Sequence, residues 1–308
     1  YPFTPLVQAT GFNPAIVTLC KDDDGAYWYY QEACGLFLYD PQRGGKPIDY
    51  RQCPAVSHLP LYTIPYLVKS QQHNAIWTMT PYNIIMKLRR EGQQIYLEKQ
   101  LDLSKASKTA GNAEVIFEDS RQNLWIGTMN GIFLYRHQGQ QLVCVSEKIG
   151  DVSDFCQSAD GYIWCTVRNK GICRISPSGK WQLYPHAKDF LTLDVTTDGT
   201  IWATTGEGQL LSFASTDPSV YTDYTLKAGL NGDMVDHVKV DRFNHLWIMT
   251  PQTIREFNPK NGAVREYSTG DNDNEGFYDS HGFCHGYPGT RCRQKRQGDA
   301  VGNSSEGF

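Results

Sequence analysis

No stretch of the 308 residues comes near the roughly 18 consecutive apolar side chains that would cross a bilayer, so no membrane segment is expected within this chain. The N-terminus lacks the basic-then-apolar pattern of a secretory leader, and the chain opens on Tyr1, which suggests a segment of something longer. Charge of one sign is also missing: 29 basic against 33 acidic residues leave a net −4, too weak a field to recruit nucleic acid or anionic lipid. There is no C-x-x-C pair among the nine cysteines and none of the eight histidines forms a helical H-x-x-x-H pair, so zinc ribbons and helical metal sites have no candidate. His58, His73, His137, His186, His237 and His245 are scattered, and read as surface or hydrogen-bonded structural histidines. No G-x-S-x-G elbow marks a nucleophile. Helical periodicity sustained over about twelve residues is absent too, which removes α/β crossovers.

What is present is a repeat. Trp28, Trp77, Trp125, Trp164, Trp202 and Trp247 are separated by 49, 48, 39, 38 and 45 residues, the spacing of propeller blades. Around each lies the same text: an apolar run, a polar turn often holding Asp-Gly, x-W-x-x-T, a short gap and a second apolar run. VIFEDSRQNLWIGTMNGIFLY and LTLDVTTDGTIWATTGEGQLLSF show it clearly. These are strand and hairpin signals. A fourth strand follows in the spacer as QIYLEK, QLVCVS, WQLYP, VYTDY and AVREY. The expected fold is therefore an all-β β-propeller of six four-stranded blades over residues 1–267, each blade's faces covered by its neighbours.

In that geometry the repeat tryptophan packs between blades and its indole N–H seeks a carbonyl. Trp181, off the register and on an outermost strand, is expected at the surface. Cys20, Cys144, Cys156, Cys165 and Cys173 lie in strand-like runs and read as buried, inert thiols, with bridges as the alternative; Cys165 and Cys173, on consecutive strands, are the first pair to consider for one. Asp22, Asp23 and Asp24 read as a solvated turn, with a metal site as the alternative.

The repeat resembles that of the two-component-regulator propeller family, V-x-x-I-x-x-D-x-x-G-x-L-W-I-G-T-x-x-G-L-x-x-Y, most closely at residues 113–135. AGLNGDMVDHVKVDRFNHLWIMT also has the Gly-Leu that precedes the first strand in that family. The resemblance covers residues 11 to about 267. It implies the sensory region of a hybrid two-component histidine kinase, periplasmic or otherwise extracytoplasmic, that recognises oligosaccharides without catalysis. No kinase text is present. On this reading the partner is an oligosaccharide or other small ligand, with self-association possible through a flanking domain, no nucleic acid, no cofactor and no metal. A protein-interaction scaffold is the alternative. Blade four, DGYIWCTVRNKGICRISPSGKWQLYP, is also similar to the repeat of virginiamycin-lyase-type propellers, but no position matches their catalytic residues.

Loops joining second to third strands and joining successive blades share one face, where propellers commonly bind. Tyr30, Glu32, Tyr82, Asn83, Arg168, Lys170, His186 and Glu207 are placed there, a mixture of aromatic, amide, carboxylate and guanidinium groups suited to sugar.

After Tyr267 the repeat stops, and residues 268–308 read as an irregular tail or an incomplete, frame-disrupted seventh blade. Read one nucleotide later, degenerate codons for residues 298–307 permit Gly-Met-Leu-Trp-Val-Thr-Ala-Val-Lys-Gly, a blade-like string. His281, Cys284 and His285 have metal-ligand types without a full tetrahedral set. The run from Asp271 starts like a calcium loop but carries Gly282 where a bidentate Glu is required. Arg291, Arg293, Lys295 and Arg296 read as a solvated basic run. The strand YPFTPLV is expected to close the ring.

Overall fold

The computed structural model describes residues 16–31, 34–44, 46–62, 66–80, 82–251 and 253–270, with three further strands at 277–278, 284–285 and 291–294. It is a six-bladed β-propeller. Blade 1 holds β1 (Ile16–Lys21), β2 (Tyr27–Gln31), β3 (Gly35–Tyr39) and β4 (Ile48–Asp49); blade 2 holds β5 (Tyr66–Lys69), β6 (Ala75–Met79), β7 (Ile84–Glu91) and β8 (Gln94–Asp102). Blade 3 follows a four-residue helix, α1 (Leu103–Ala106), with β9 (Ala113–Glu118), β10 (Leu124–Thr128), β11 (Ile132–Arg136) and β12 (Gln141–Ser146). Blade 4 comprises β13 (Val152–Gln157), β14 (Ile163–Val167), β15 (Gly171–Ile175) and β16 (Trp181–Pro185). Blade 5 comprises β17 (Phe190–Val195), β18 (Thr200–Thr205), β19 (Leu210–Ala214) and β20 (Asp217–Asp223). Blade 6 comprises β21 (His237–Val240), β22 (Leu246–Met249), β23 (Thr253–Phe257) and β24 (Val264–Gly270).

Each blade is an antiparallel meander. The first strands of successive blades lie side by side around the axis, and the fourth strands form an exposed rim, with β20 and β16 the most open. Second strands alternate nothing: β6, β10 and β14 are buried throughout, because both faces of a blade pack on neighbours. All six repeat tryptophans occupy those second strands, and Trp181 lies on β16, 40% exposed, as its register implied.

The indole N–H does not find a main-chain carbonyl. It reaches the side chain that opens the turn between first and second strands: Asp22 for Trp28 at 3.2 Å, Asp119 for Trp125 at 3.0 Å, Ser158 for Trp164 at 3.2 Å and Asp241 for Trp247 at 3.1 Å. The same side chains cap their turns. Asp119 Oδ1 accepts from the main-chain N–H of Arg121 and Asn123, and Asp241 Oδ1 from Phe243 and His245. Side-chain acceptors of this kind mimic a backbone turn, which is why Asp, Ser and Thr recur there. Three residues before each tryptophan the backbone is left-handed, at Gly25, Asn74, Gln122, Gly161, Gly199 and Asn244. Gly and Asn bear that conformation at least cost. Trp77 and Trp202 lack an indole partner among the described residues; in blade 2 the turn, opened by Ser70, is longer.

Of the three aspartates read as a solvated turn, Asp23 and Asp24 are exposed but Asp22 is not. Asp22 is buried and receives Arg90 of blade 2 through Nε at 2.7 Å, while Asp23 pairs with Lys69 at 2.6 Å and accepts from the Asn74 N–H at 2.9 Å. It is a polar clamp between blades 1 and 2. No group of three or more metal-ligating side chains is assembled among the described residues.

Cys20, Cys156, Cys165 and Cys173 are buried, but Cys144 is exposed because β12 is a rim strand. Cys165 and Cys173 face each other across β14 and β15. Burial pushes the Cys165 and Cys156 thiols well up, and Cys20 to about 12, so all three are inert at neutral pH.

Beyond Tyr267, β25 (Phe277–Tyr278) pairs with β26 (Cys284–His285), β26 lies beside β1, and β27 (Arg291–Gln294) pairs antiparallel with β24. The N-terminal closing strand, the metal-like and calcium-like runs, the side chains of the basic run and the frame-shifted stretch lie outside the described residues. Among those described, no helix is long and apolar enough to cross a membrane.

Candidate functional site

The face formed by second-to-third-strand loops and blade-to-blade connections is chemically unlike its opposite. Of the ten large apolar side chains left exposed among the described residues, five lie in these connections: Tyr62, Tyr82, Met129, Leu226 and Met234. Four lie on the rim, and Phe243 alone on the opposite face. Apolar exposure concentrated on one face marks it for contact with something.

Tyr82, 67% exposed, stands beside the Tyr62 phenol and holds it above its ordinary range. Tyr30 is buried beneath and donates its hydroxyl to the Tyr62 carbonyl at 3.0 Å, so three tyrosines from blade 1, blade 2 and their connection form one column. Asn83, left-handed at φ 60°, accepts the Ala113 N–H at 2.8 Å and donates to the Gly111 carbonyl at 3.0 Å. Its amide is spent fastening the blade 2 loop to the start of blade 3, which leaves Tyr82 as the projecting group.

On the far side of the axis, Arg168 stands 3.6 Å from Asp151, and Lys170 donates to the Ile149 carbonyl at 3.0 Å. Glu207 projects, 3.6 Å from Lys188. His186 lies away from the axis, its ring bonded to the Pro218 carbonyl at 2.8 Å and set edge-on against Phe190, Phe213 and Tyr221. Glu32 is outside the described residues. The structure thus brings together Tyr30 with Tyr82 and, separately, Arg168 with Asp151, and puts His186 in a packed aromatic nest.

Sequence reading missed the acidic groups at the mouth of the axis. Glu114, Asp151, Asp189 and Asp236 each stand at or just before the first strand of blades 3 to 6. Burial, then Asp151, pushes the Glu114 carboxyl up against the opposing pull of Arg168. Burial likewise raises Asp151, with Asp189 adding to it and Arg168 opposing. Asp151 Oδ1 and Asp189 Oδ1 are shielded from water without a hydrogen-bond partner among the described residues. Stacking the repeats on their first strands, rather than on their tryptophans, exposes the signal: A-E-V-I-F, D-V-S-D-F, D-F-L-T-L and D-H-V-K-V.

Deeper along the axis, first strands splay apart and cannot ladder with one another, so their inward N–H groups need side-chain acceptors. Asp154 of blade 4 accepts the Leu193 N–H of blade 5 at 3.0 Å, and Asp194 of blade 5 accepts the Val240 N–H of blade 6 at 2.9 Å. Lys239 lies 3.6 Å from Asp154. Burial alone would push the Lys239 ammonium down, but Asp154 and Asp194 carry it above the ordinary lysine range, so it stays charged. Tyr66, from blade 2, faces the same cluster and burial lifts its phenol to about 12. These groups hold the inner ring together.

A cavity lies elsewhere. It measures about 380 Å³ and opens on the opposite face, between blades 3 and 4.

No family model matches the sequence, and no curated protein matches it. Solved structures do match. The extracellular domain of a protein named as the hybrid two-component system BT3049 from B. thetaiotaomicron superposes with a TM-score of 0.66 over 90% of this chain at 17% identity. That of BT4673 from the same organism gives 0.67 over 96% at 15% identity. The fold is that of these extracellular domains. The chain spans about two fifths of either domain, 38% and 40%. YCF48 in a structure with a D1 peptide bound gives 0.66 at 14% identity, with 98% of each chain covered.

Proposed function

We propose that this chain is a non-catalytic ligand-sensing propeller from the extracytoplasmic part of a two-component sensor, and that an oligosaccharide binds on the face of the second-to-third-strand loops. The observation that carries the reading is the exposed, neighbouring Tyr62 and Tyr82 pair across the axis from Arg168 and its carboxylates. Aromatic faces with hydroxyl, guanidinium and carboxylate partners suit a polyhydroxylated ring. The extracellular domains named above support it at the level of fold.

A thermal-shift screen against plant, host and microbial oligosaccharides tests it, since a ligand at about 100 times its Kd stabilises by about 2.7 kcal/mol. One sugar class should raise the midpoint without product formation, and Tyr82→Ala should abolish the rise while leaving the unliganded midpoint in place. Turnover of the sugar, or a rise unaffected by Tyr82→Ala, would overturn the assignment. A second reading, a protein-interaction scaffold, draws support from the peptide-bound YCF48 structure, which matches along almost all of both chains. It predicts capture of a protein partner and no response to sugars.

A further inference from the structure

The arginines whose side chains are described are almost all engaged. Arg43, Arg51, Arg89, Arg90, Arg168, Arg174, Arg255 and Arg265 each face a carboxylate, and Arg242 lies over the Phe243 ring. Among the described residues, Arg121 and Arg136 have neither a carboxylate nor a ring partner. Both line the 380 Å³ cavity between blades 3 and 4. Arg121 comes from the first turn of blade 3 and Arg136 from the end of β11, so the repeat itself sets them on one wall.

Asp119, the one carboxylate lining the cavity, has both oxygens engaged within its own turn. Asp119 Oδ1 accepts from Arg121 N, Asn123 N and Asn123 Nδ2, and its Oδ2 from Asn123 Nδ2 and the Trp125 indole. Asn123 Oδ1 accepts the His137 N–H at 3.1 Å, and Gln157 Oε1 the Ser120 N–H at 2.8 Å. The Gln157 amide N–H groups have no acceptor among the described residues. The floor is apolar, with Ile163 and Pro177 from blade 4. The corresponding positions of the other blades do not reproduce this wall: Asp24 and Asp40 in blade 1, Asp160 and Ser176 in blade 4, Asp198 and Ala214 in blade 5. In blade 2 His73 and Arg89 already face carboxylates.

We propose that this cavity is a second ligand site, which takes a small molecule bearing a carboxylate held by Arg121 and Arg136, with its body on the apolar floor. Two guanidiniums against one saturated carboxylate favour an anion, and planar bidentate recognition suits a carboxylate. The volume lies in the range of small-molecule sites. It is independent of the tyrosine face.

The test compares glucuronate with glucose, which differ in the carboxylate, and with inorganic phosphate, by calorimetric titration of the intact chain at low ionic strength. Glucuronate should bind saturably and glucose should not. Arg121→Gln and Arg136→Gln should each raise Kd about tenfold, as loss of a charge-assisted contact does, and the double variant should abolish binding. Arg242→Gln removes the same charge from the same face and should leave Kd unchanged, as should Tyr82→Ala. Both arginines are exposed, so these variants should keep the wild-type melting midpoint. Equal binding of glucose, survival of binding in the double variant, binding of phosphate alone, or no saturable binding of glucuronate by the folded chain would each overturn the proposal.

Discussion

Replacing Asp22 by Ala should be far more damaging than the same change at Asp119, although both open an equivalent turn and both accept an indole N–H. At Asp119 every donor is an N–H of its own blade, and the turn amides freed by the change can reach water. What stays unpaired is chiefly the Trp125 indole, at a cost of about 1–3 kcal/mol. At Asp22 the change also strands Arg90, whose side chain is 3% exposed and which meets the carboxylate at 2.7 and 3.3 Å. Leaving a buried charge without its partner costs about 3–5 kcal/mol. Arg90 keeps the Gly92 carbonyl at 3.0 Å and the more distant Asp24 and Asp40 carboxylates, which places the loss near the lower bound, about 3 kcal/mol. For a domain of this size that is a fall in melting midpoint of about 6–9 °C. Thermal unfolding of the single variants, with Asp22→Ala/Arg90→Met to complete a cycle, measures it. The double variant should recover part of the loss, because an apolar chain of similar volume leaves no orphan charge. An Asp22→Ala cost no larger than that of Asp119→Ala, or a double variant no better than Asp22→Ala, would refute the reasoning.

The mouth of the axis should respond to pH in a defined direction. Glu114 and Asp151 have carboxyl groups raised in the folded state, so their contribution to stability is full below the ordinary carboxylate range and is lost as pH rises through the folded values. Glu114→Gln and Asp151→Asn should therefore raise the stability measured in a denaturant melt at pH 7 by a few tenths to about 1 kcal/mol, screened by their exposure, and the gain should vanish in acid. Gly208→Ala should destabilise by about 2–4 kcal/mol in a denaturant melt: its φ is +76° and a Cβ would sit 2.1 Å from the Asp233 carbonyl oxygen. Trp125→Phe should cost about 1 kcal/mol more than Trp202→Phe in the same assay, because it strips a donor from Asp119 while the Trp202 indole has no partner to lose.

Much of the architecture was legible because it is local and repeated. The six tryptophans, the Asp-Gly turns and the fourth strands from QIYLEK to AVREY all fell where the text put them. Blade 1 was harder: its fourth strand is the two-residue β4, followed by a 3-10 turn at Tyr50–Gln52, too short to leave a period-two signature. Cys144 was read as buried because QLVCVS looks like a core strand, yet β12 has no neighbour on its outer edge. The aspartates at 22–24 looked like any polar turn, since their partners lie 46 to 68 positions away in blade 2.

The sequence alone determined the meander, the number of blades that repeat, and which side chains lie in the turns, because strand alternation and turn chemistry act over fewer than about ten residues. The tertiary structure decided which of those side chains meet. Tyr62 joins Tyr82 and Asp151 joins Arg168 only once blades are arranged about an axis. Arg121 and Arg136 became notable only when every other described arginine was seen to have a partner and the space before these two was seen to be a cavity. Pairing across blades depends on radial position and on what the neighbouring blade presents, and neither quantity is written in the spacing of one repeat.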